Sequence, residues 1–488
     1  AGVNAERLRC AVDRLFPRPV DGRQRLAAAA CALSRFTVLT GGPGTGKTTT
    51  VARVLALLLE RDPALRVAVA APTGKAAARL AEAIAANAAG LPIGPALRDA
   101  LPREGRTLHR LLGYQPWHDT FAHGPDRPLA EDVVVVDEAS MVDVLLMDAL
   151  FAAVRPSAHL ILLGDPDQLA SVDTGDVLGD LCRAAAGGAA EPPAHGAAHG
   201  AAFGAWCEAL TGQRVPTAGD GPPDAGAAAP PLRDSVVRLR RSYRFEACPG
   251  IGAAAEAIRA GDAARTLAVL DDAAHGEARR TDPAGAADAV LEPVRALVEA
   301  YLGAGTPDEA LARLGAFRLL CALRRGPTGA AGVNDQVERW LRGRGVFTRA
   351  PWYDGRPVLV TANDAATGLF NGDVGVTRTA DGRTQVWFPD GPRGARPVAP
   401  ARLPAHDTAW AMTVHKAQGS EFDTVVLVLP DDDHRVLTRE LLYTGVTRAR
   451  RSVTVVGRAP VVAAAVGRVT ARASGLAGRL GAPVERVQ

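Results

Sequence analysis

The stretch Gly41-Gly42-Pro43-Gly44-Thr45-Gly46-Lys47-Thr48 restricts the fold of this chain more than any other. It has the spacing G-x-x-x-x-G-K-[ST], follows the β-branched and apolar run Phe36–Thr40, and leads into Thr49–Glu60, which reads as a helix. A strand passing through a glycine-rich turn into a helix aims backbone N–H groups and a helix N-terminus at one point, which suits a phosphate. Such a turn belongs to α/β folds with a parallel sheet and a site at the carboxyl edge of its strands.

Lysine usage sharpens this reading. The chain has 56 basic residues, yet only Lys47, Lys75 and Lys416 are lysine. Its Ala-, Gly- and Arg-heavy composition suggests a GC-rich genome, in which Lys drifts to Arg wherever either serves. The three that remain mark positions that need a compact ammonium rather than a planar guanidinium. Lys47 closes the glycine-rich stretch. Lys75 lies in Ala71-Pro72-Thr73-Gly74-Lys75-Ala76-Ala77, and Lys416 in Thr413-Val414-His415-Lys416-Ala417-Gln418-Gly419.

With 488 residues, the chain is expected to form about three domains. Its 47% hydrophobic content provides a sizeable core. A net charge of +3 excludes a bulk basic signal, so any contact with nucleic acid must come from local patches. The cysteines Cys10, Cys31, Cys182, Cys207, Cys248 and Cys321 are scattered without metal-type spacing. They read as reduced thiols of a cytoplasmic protein, several of them filling the core. No apolar run approaches the ~20 residues of a membrane span, so no membrane partner is expected. Ala1-Gly2-Val3-Asn4 does not read as a signal peptide, and without an initiator Met the sequence is expected to begin partway through a longer protein.

Residues 1–35 are expected to be helical, as a remnant or linker of an N-terminal domain. A first α/β domain is expected over 36–234. There the strands Phe36–Thr40, Arg66–Ala71, Asp132–Val136 and His159–Leu163 alternate with helices such as Gly74–Ala86. Within it, 184–232 is an insert rich in Ala, Gly and Pro; His195 and His199 lie four apart there, but lack neighbouring ligands for a metal. A second α/β domain is expected over 235–345 and 405–488, with core strands Thr424–Leu429 and Ser452–Val456. Between its two parts, 346–404 reads as a compact β-rich insertion. Its strands are Pro357–Thr361, Val374–Thr379 and Gln385–Phe388, and Asn371-Gly372 and Asp381-Gly382 are turn signals. Trp352, Tyr353, Phe370 and Trp387 in the insertion suit either base stacking or core packing.

The chemistry follows from the strand ends. Backbone groups at Gly42, Gly44, Thr45 and Gly46, with the first helical residues through Thr49, would hold the phosphates of ATP. Lys47 would reach the β- and γ-phosphates, and Thr48 would ligate Mg²⁺. Val133–Val136 ends in Asp137-Glu138. Two carboxylates at the end of a buried strand are costly without a cation. Asp137 would hold Mg²⁺, and Glu138 would orient and deprotonate the attacking water. Gly164-Asp165-Pro166-Asp167-Gln168-Leu169 follows the next strand and places Gln168 to sense the γ-phosphate. Arg244 and Arg448 suit either surface salt bridging or fingers that stabilise charge on the transferring phosphoryl group, and spacing alone leaves both readings open.

These stretches resemble the superfamily 1 DNA helicases, and within them the RecD family, the alpha subunits of exodeoxyribonuclease V. The resemblance runs from about Arg14 to the C-terminus. It rests on Ser242-Tyr243-Arg244-Phe245, Leu319-Leu320-Cys321-Ala322-Leu323-Arg324, Gly368-Leu369-Phe370-Asn371-Gly372-Asp373, Trp410-Ala411-Met412-Thr413-Val414-His415-Lys416 and Gln418-Gly419-Ser420-Glu421-Phe422-Asp423. It implies two RecA-like P-loop NTPase domains, the second carrying an SH3-like insertion. It also implies an ATP-dependent motor moving 5′ to 3′ on single-stranded DNA and unwinding duplex DNA in double-strand break repair. In this family Gln24 would read adenine, Tyr243 would pack on the base and Glu421 would lie near the ribose. Arg244 and Arg448 would be the fingers. Thr73, Lys75, Thr107, His109, Thr413 and His415 would face DNA, although the threonines also suit helix caps and the histidines a structural role. The implied partners are RecB-like and RecC-like subunits in the cytoplasm of a bacterium, at the nucleoid. The family's further domain ahead of the motor is not matched by the roughly 35 residues before the first strand, which leaves docking through it open.

Other functions fit less well. A nuclease would need a carboxylate cluster with a catalytic Lys, but no Glu-x-Lys occurs and each lysine is already in another motif. Cutting would then belong to a partner subunit. A catalytically dead scaffold would show a lesion among Lys47, Thr48, Asp137, Glu138, Gln168, Arg244 and Arg448, and all are present. A standalone RecD-like helicase is the alternative within the enzyme class.

Overall fold

The computed structural model describes residues 5–17, 21–171, 174–186, 199–215, 217, 232–283, 290–346, 348, 350–364, 366–470 and 476–480. They fall into two units. One runs through Tyr243 and takes back the short helix Leu476–Arg479, and the other spans Arg244–Thr470.

The first unit opens with helices α1 (Ala5–Leu15) and α2 (Gly22–Leu33). Leu8, Val12 and Leu15 repeat at helical spacing on α1 and are buried, as are Ala27–Ala30 of α2. The segment expected to be a linker is thus part of the first core, joined there by Phe203, Cys207 and Leu210 of the helix Ala201–Thr211. Arg25 holds the three helices together. Its side chain is 1% exposed; Nη1 donates to Phe16 O at 2.8 Å, and Nη2 donates to Thr211 O at 3.0 Å and to the Asp13 carboxylate. Two of these acceptors are carbonyls at helix C-termini, which lack intrahelical partners.

The sheet of this unit comprises β1 (Phe36–Gly41), β2 (Val67–Ala71), β3 (Gly105–Thr107), β6 (Val133–Val136), β7 (His159–Gly164) and β8 (Val236–Leu239). A small hairpin, β4 (Tyr114–Gln115) with β5 (Thr120–Phe121), stands apart. The order is β3-β2-β6-β7-β1-β8, with every pairing parallel. β6 and β7 are buried along their whole length, as expected of apolar runs covered on both faces of a parallel sheet. The helices α3 (Lys47–Arg61) and α4 (Gly74–Ala89) follow β1 and β2. β8 corrects the expected boundary at residue 235: Val236–Leu239 pair with Val38–Gly41 and complete the first sheet. The tail is corrected as well, because Leu476 and Leu480 pack on the first unit's core.

The second unit has a five-stranded parallel sheet, ordered β16-β10-β17-β18-β9. Its strands are β9 (Ala278–Thr281), β10 (Phe317–Cys321), β16 (Ala411–Thr413), β17 (Phe422–Val428) and β18 (Ala449–Val456). An antiparallel sheet is inserted in it, ordered β14-β13-β12-β11-β15: β11 (Pro357–Val360), β12 (Val374–Ala380), β13 (Arg383–Pro389), β14 (Ala395–Val398) and β15 (His406–Thr408). Asp381 and Gly382, at φ +51° and +71°, turn the β12–β13 hairpin, as their sequence predicts. The molecule is thus the expected α/β class, with two RecA-like parallel sheets and a β-rich insertion in the second.

The chain leaving the insertion is held tightly. Trp410 is 1% exposed, packs edge-on against Tyr301 and donates to Tyr353 Oη at 2.9 Å; Tyr353 donates in turn to Glu338 Oε1 at 2.9 Å. Tyr353 is therefore a core residue. Asn334 clamps the next residue, accepting from Ala411 N–H at 2.9 Å and donating to Ala411 O at 3.1 Å.

Arg25→Met keeps much of the side-chain volume but strands two buried helix-end carbonyls. It is expected to destabilise the first unit by about 2–4 kcal/mol, read as a lower urea midpoint in equilibrium unfolding.

Candidate functional site

β1 delivers Gly41 to the glycine-rich turn, and α3 begins at Lys47. Gly44 and Gly46 take φ +74° and +84°, the left-handed region that glycine enters without strain. Gly46 is further constrained by space, since a β-carbon there would lie 2.8 Å from Gln24 Nε2. Thr45 Oγ1 donates to Gly42 O at 2.8 Å, closing the turn. Lys47 Nζ donates to Gly41 O at 2.5 Å and to Gly42 O at 3.2 Å, so the ammonium lies over the loop. No side chain caps α3 and its first turn has no acidic residue, so Thr48 and Thr49 lie in a helix start suited to an anion.

The segment after β8 crosses this loop. Ser242 Oγ donates to Pro43 O at 2.9 Å and Tyr243 N–H donates to Gly44 O at 3.0 Å. The Arg241 guanidinium lies 4.8 Å from the Tyr243 ring centroid. Gln24, 4% exposed on α2, and Tyr243 thus both border Gly46. The sequence singled out both residues, but not Ser242.

β6 ends at Val136, in register with Leu162 of β7, which is itself in register with Val38 of β1. Asp137 therefore leaves the sheet at the same edge as the glycine-rich turn. Glu138 holds φ +51°, uncommon for a residue with a β-carbon, and its N–H donates to Asp137 Oδ1 at 2.8 Å. The Asp137 carboxylate and the Thr48 hydroxyl are hard oxygen donors, the set that Mg²⁺ prefers.

Asp165, 2% exposed after β7, organises the next loop. Its Oδ1 accepts from Asp167 N–H at 3.1 Å and its Oδ2 from Gln168 Nε2 at 2.9 Å. Asp167 forms an ion pair with Arg238 of β8. The sequence singled out only Gln168 from this loop. The alternation of β8, with Val237 and Leu239 buried and Arg238 between them, was the available signal for Arg238.

In the second unit, Arg244 Nη2 donates to Glu421 Oε1 at 2.6 Å, and Arg450 Nη2 to Glu421 Oε2 at 3.3 Å. Arg448, 2% exposed, donates to Thr444 O at 3.2 Å and Ser420 O at 3.3 Å. Burial alone would push the Glu421 carboxyl up. The charges of Arg244 and Arg448, the Arg244 hydrogen bond and the Arg450 charge together hold it below the usual range. Arg244 Nη1 is buried with no hydrogen-bond partner among the described residues.

The DNA-facing candidates lie at strand ends. Thr73 caps α4, accepting from Ala76 N–H at 3.3 Å, with Lys75 half-buried in the first turn. Thr107 ends β3, in register with Ala71, and accepts from Arg110 N–H at 3.2 Å. His109 is exposed, its ring edge-on to Tyr114. Thr413 ends β16 and accepts from Lys416 N–H at 3.3 Å; His415 is half-buried nearby, and Lys416 Nζ pairs with Asp407 at 3.1 Å. A capping threonine uses an acceptor lone pair and keeps its O–H donor for another partner. Elsewhere, His199 pairs with Asp234 at 3.1 Å, whereas His195 lies outside the described residues. No described helix is long and apolar enough to cross a membrane.

Two family models match: an AAA domain over residues 24–174 and a UvrD-like helicase C-terminal domain over 408–456. The chain is 45% identical over 491 residues to the RecBCD enzyme subunit RecD of Mycobacterium tuberculosis (strain ATCC 25618 / H37Rv), covering 96% of this chain and 74% of that protein. It is 33% identical over 424 residues to the ATP-dependent RecD2 DNA helicase of Deinococcus radiodurans, covering 85% of this chain and 46% of that one. Among solved structures, Bacteroides Pif1 bound to ssDNA is similar at a TM-score of 0.44 and 15% identity, covering 88% of this chain and 91% of that one. The chain belongs to the RecD family of RecBCD enzyme subunits.

Proposed function

We propose that this chain is the ATP-driven DNA helicase motor of a RecBCD-type helicase–nuclease. In this reading it moves 5′ to 3′ on single-stranded DNA, assembles with RecB-like and RecC-like subunits, and leaves cutting to a partner. It would act in the bacterial cytoplasm, at the nucleoid, in double-strand break repair. The observation that carries the reading is the gathering of Gln24, Lys47 and Tyr243 around one glycine-rich turn, at the sheet edge that also presents Asp137, Glu138 and Gln168. A subunit of the complex is favoured over a standalone helicase because the chain is 45% identical to the RecD relative and 33% identical to RecD2.

In this reading the turn and the α3 N-terminus hold the ATP phosphates, and Lys47 exchanges its carbonyl contacts for phosphate oxygens. Thr48 and Asp137 would hold Mg²⁺, which would neutralise phosphate charge. Glu138 orients the attacking water and takes its proton, Gln168 senses the γ-phosphate, and Arg244 and Arg448 act as the fingers. Gln24 reads adenine while Tyr243 packs on it, and Glu421 serves the ribose side. Thr73, Lys75, Thr107, His109, Thr413 and His415 contact the DNA strand, with affinity that falls as salt rises. We assign the antiparallel sheet, β11–β15, as an SH3-like domain.

Single-stranded DNA is expected to stimulate ATP hydrolysis by the purified chain, alone or reconstituted with RecB-like and RecC-like subunits. Lys47→Gln and Glu138→Gln should each cut turnover by about 10²–10⁴, with Glu138→Gln still binding nucleotide. Hydrolysis indifferent to DNA in both settings would refute the coupled motor.

Glu421 gives a pH signature. Its folded-state pKa is depressed, so its stabilising contribution is present above the unfolded value of about 4.3 and fades as pH falls through the lower folded value. Thermal melts of wild type and Glu421→Gln should therefore differ most at neutral pH and converge in acid.

A further inference from the structure

Asp167 and Arg238 are 71 residues apart in sequence yet form an ion pair across the end of β1. β7 and β8 flank β1, and Thr40 is in register with both Gly164 and Arg238. The pair therefore ties the loop after β7 to β8 at the level where β1 becomes the phosphate-binding turn. Each partner is anchored to a different part of the nucleotide site. Asp167 N–H is held by the same Asp165 carboxylate that holds Gln168 Nε2. The carbonyl of Arg238 accepts from Arg23 Nη1 at 3.1 Å, and Arg23 directly precedes Gln24 on α2. From Arg238 the chain runs five residues to Tyr243, whose N–H rests on Gly44 O. The Asp167 and Arg238 side chains are 26% and 22% exposed, so the pair lies at the rim of the fold, where ion pairs add little to stability. Its consequence should appear in what it positions.

We propose that Asp167 and Arg238 are positioning residues for base recognition. They fix the stem of the Arg240–Tyr243 segment, and through Arg23 the start of α2, so that Tyr243 and Gln24 meet adenine in the correct relation to the phosphate turn. The turn is closed from within by Thr45 Oγ1 on Gly42 O, a bond that neither Asp167 nor Arg238 touches, so the phosphate cradle is the less sensitive of the two. The inference rests on the reading of Gln24 and Tyr243 as the base site. The link makes selectivity for adenine, rather than affinity for a triphosphate, the sensitive quantity.

The test compares steady-state hydrolysis of ATP and UTP by the full chain, with Mg²⁺ and saturating single-stranded DNA. The variants are Arg238→Gln, Asp167→Asn, the two combined, the reversed pair Asp167→Arg with Arg238→Asp, and Gln24→Ala and Tyr243→Ala as references. Either single variant is expected to raise KM for ATP about tenfold, the combined variant no more than either single one, and KM for UTP to move less than about twofold. Turnover should hold within about threefold, and the reversed pair should recover most of the ATP preference. An equal rise in KM for both nucleotides would overturn the inference by assigning the pair to the phosphate turn. An unchanged KM for ATP would overturn it outright. If Gln24→Ala and Tyr243→Ala both leave the ATP-to-UTP ratio unaltered, the base-site reading itself fails. If Gln24→Ala abolishes the preference while Arg238→Gln does not, the positioning role alone fails.

Discussion

At Gly46 the backbone takes a left-handed turn, and the carboxamide of Gln24 occupies the space where a β-carbon would be. The start of the first unit is arranged around this contact. It requires α2 to lie against the start of α3, and so brings the leading helices into the core. It leaves the α3 N-terminus without a side-chain cap, so its N–H groups face the turn. The chain after β8, placed by its pairing with β1, meets the same loop, where Ser242 and Tyr243 bond to Pro43 and Gly44. Arg25, next to Gln24, is then buried and must find acceptors, which it does at two helix ends. The nucleotide site and the first core are two sides of α2.

The threonines at the strand ends show how one side chain can meet a structural and a functional demand together. Thr73, Thr107 and Thr413 each accept a backbone N–H, in two of the three as a helix cap. Capping uses a lone pair and fixes the χ1 rotamer, which leaves the hydroxyl proton able to turn towards another acceptor nearby. A phosphate contact made by that proton costs little further side-chain entropy. The two readings of these residues, cap and DNA contact, are therefore compatible.

Features encoded over short stretches were legible in the sequence. The glycine-rich turn, the valine run of β6 and the Asp381-Gly382 turn each follow from a few neighbouring residues. The boundary after residue 234 was misplaced because β8 reads locally as the start of something new, and only its pairing with β1 shows otherwise. The helix Ala201–Thr211 was hidden by its setting of Ala, Gly and Pro, since its apolar face is recognisable only against α1 and α2. The alternation of β8 marked Arg238, but nothing local marked its pairing with Asp167. In a chain this rich in arginine, the one that pairs with a given carboxylate is decided by strand order, which no local pattern reports.

The charges around Glu421 in the second unit bear on the proposed finger role of Arg244 and Arg448. Glu421 is shared by Arg244 and Arg450 and feels Arg448, so one carboxylate faces three guanidinium groups. A cluster built only for stability would balance its charges, because partly buried like charges repel and each unmatched one costs solvation. Here three guanidinium groups act on one carboxylate, and the Nη1 atom of Arg244 is buried without a partner among the described residues. Under the proposed finger role, guanidinium groups held oriented in advance would meet an anion without reorganisation at that moment. Glu421 in this view prevents the arginines from repelling one another apart, and its own charge is the reason the cluster can wait assembled.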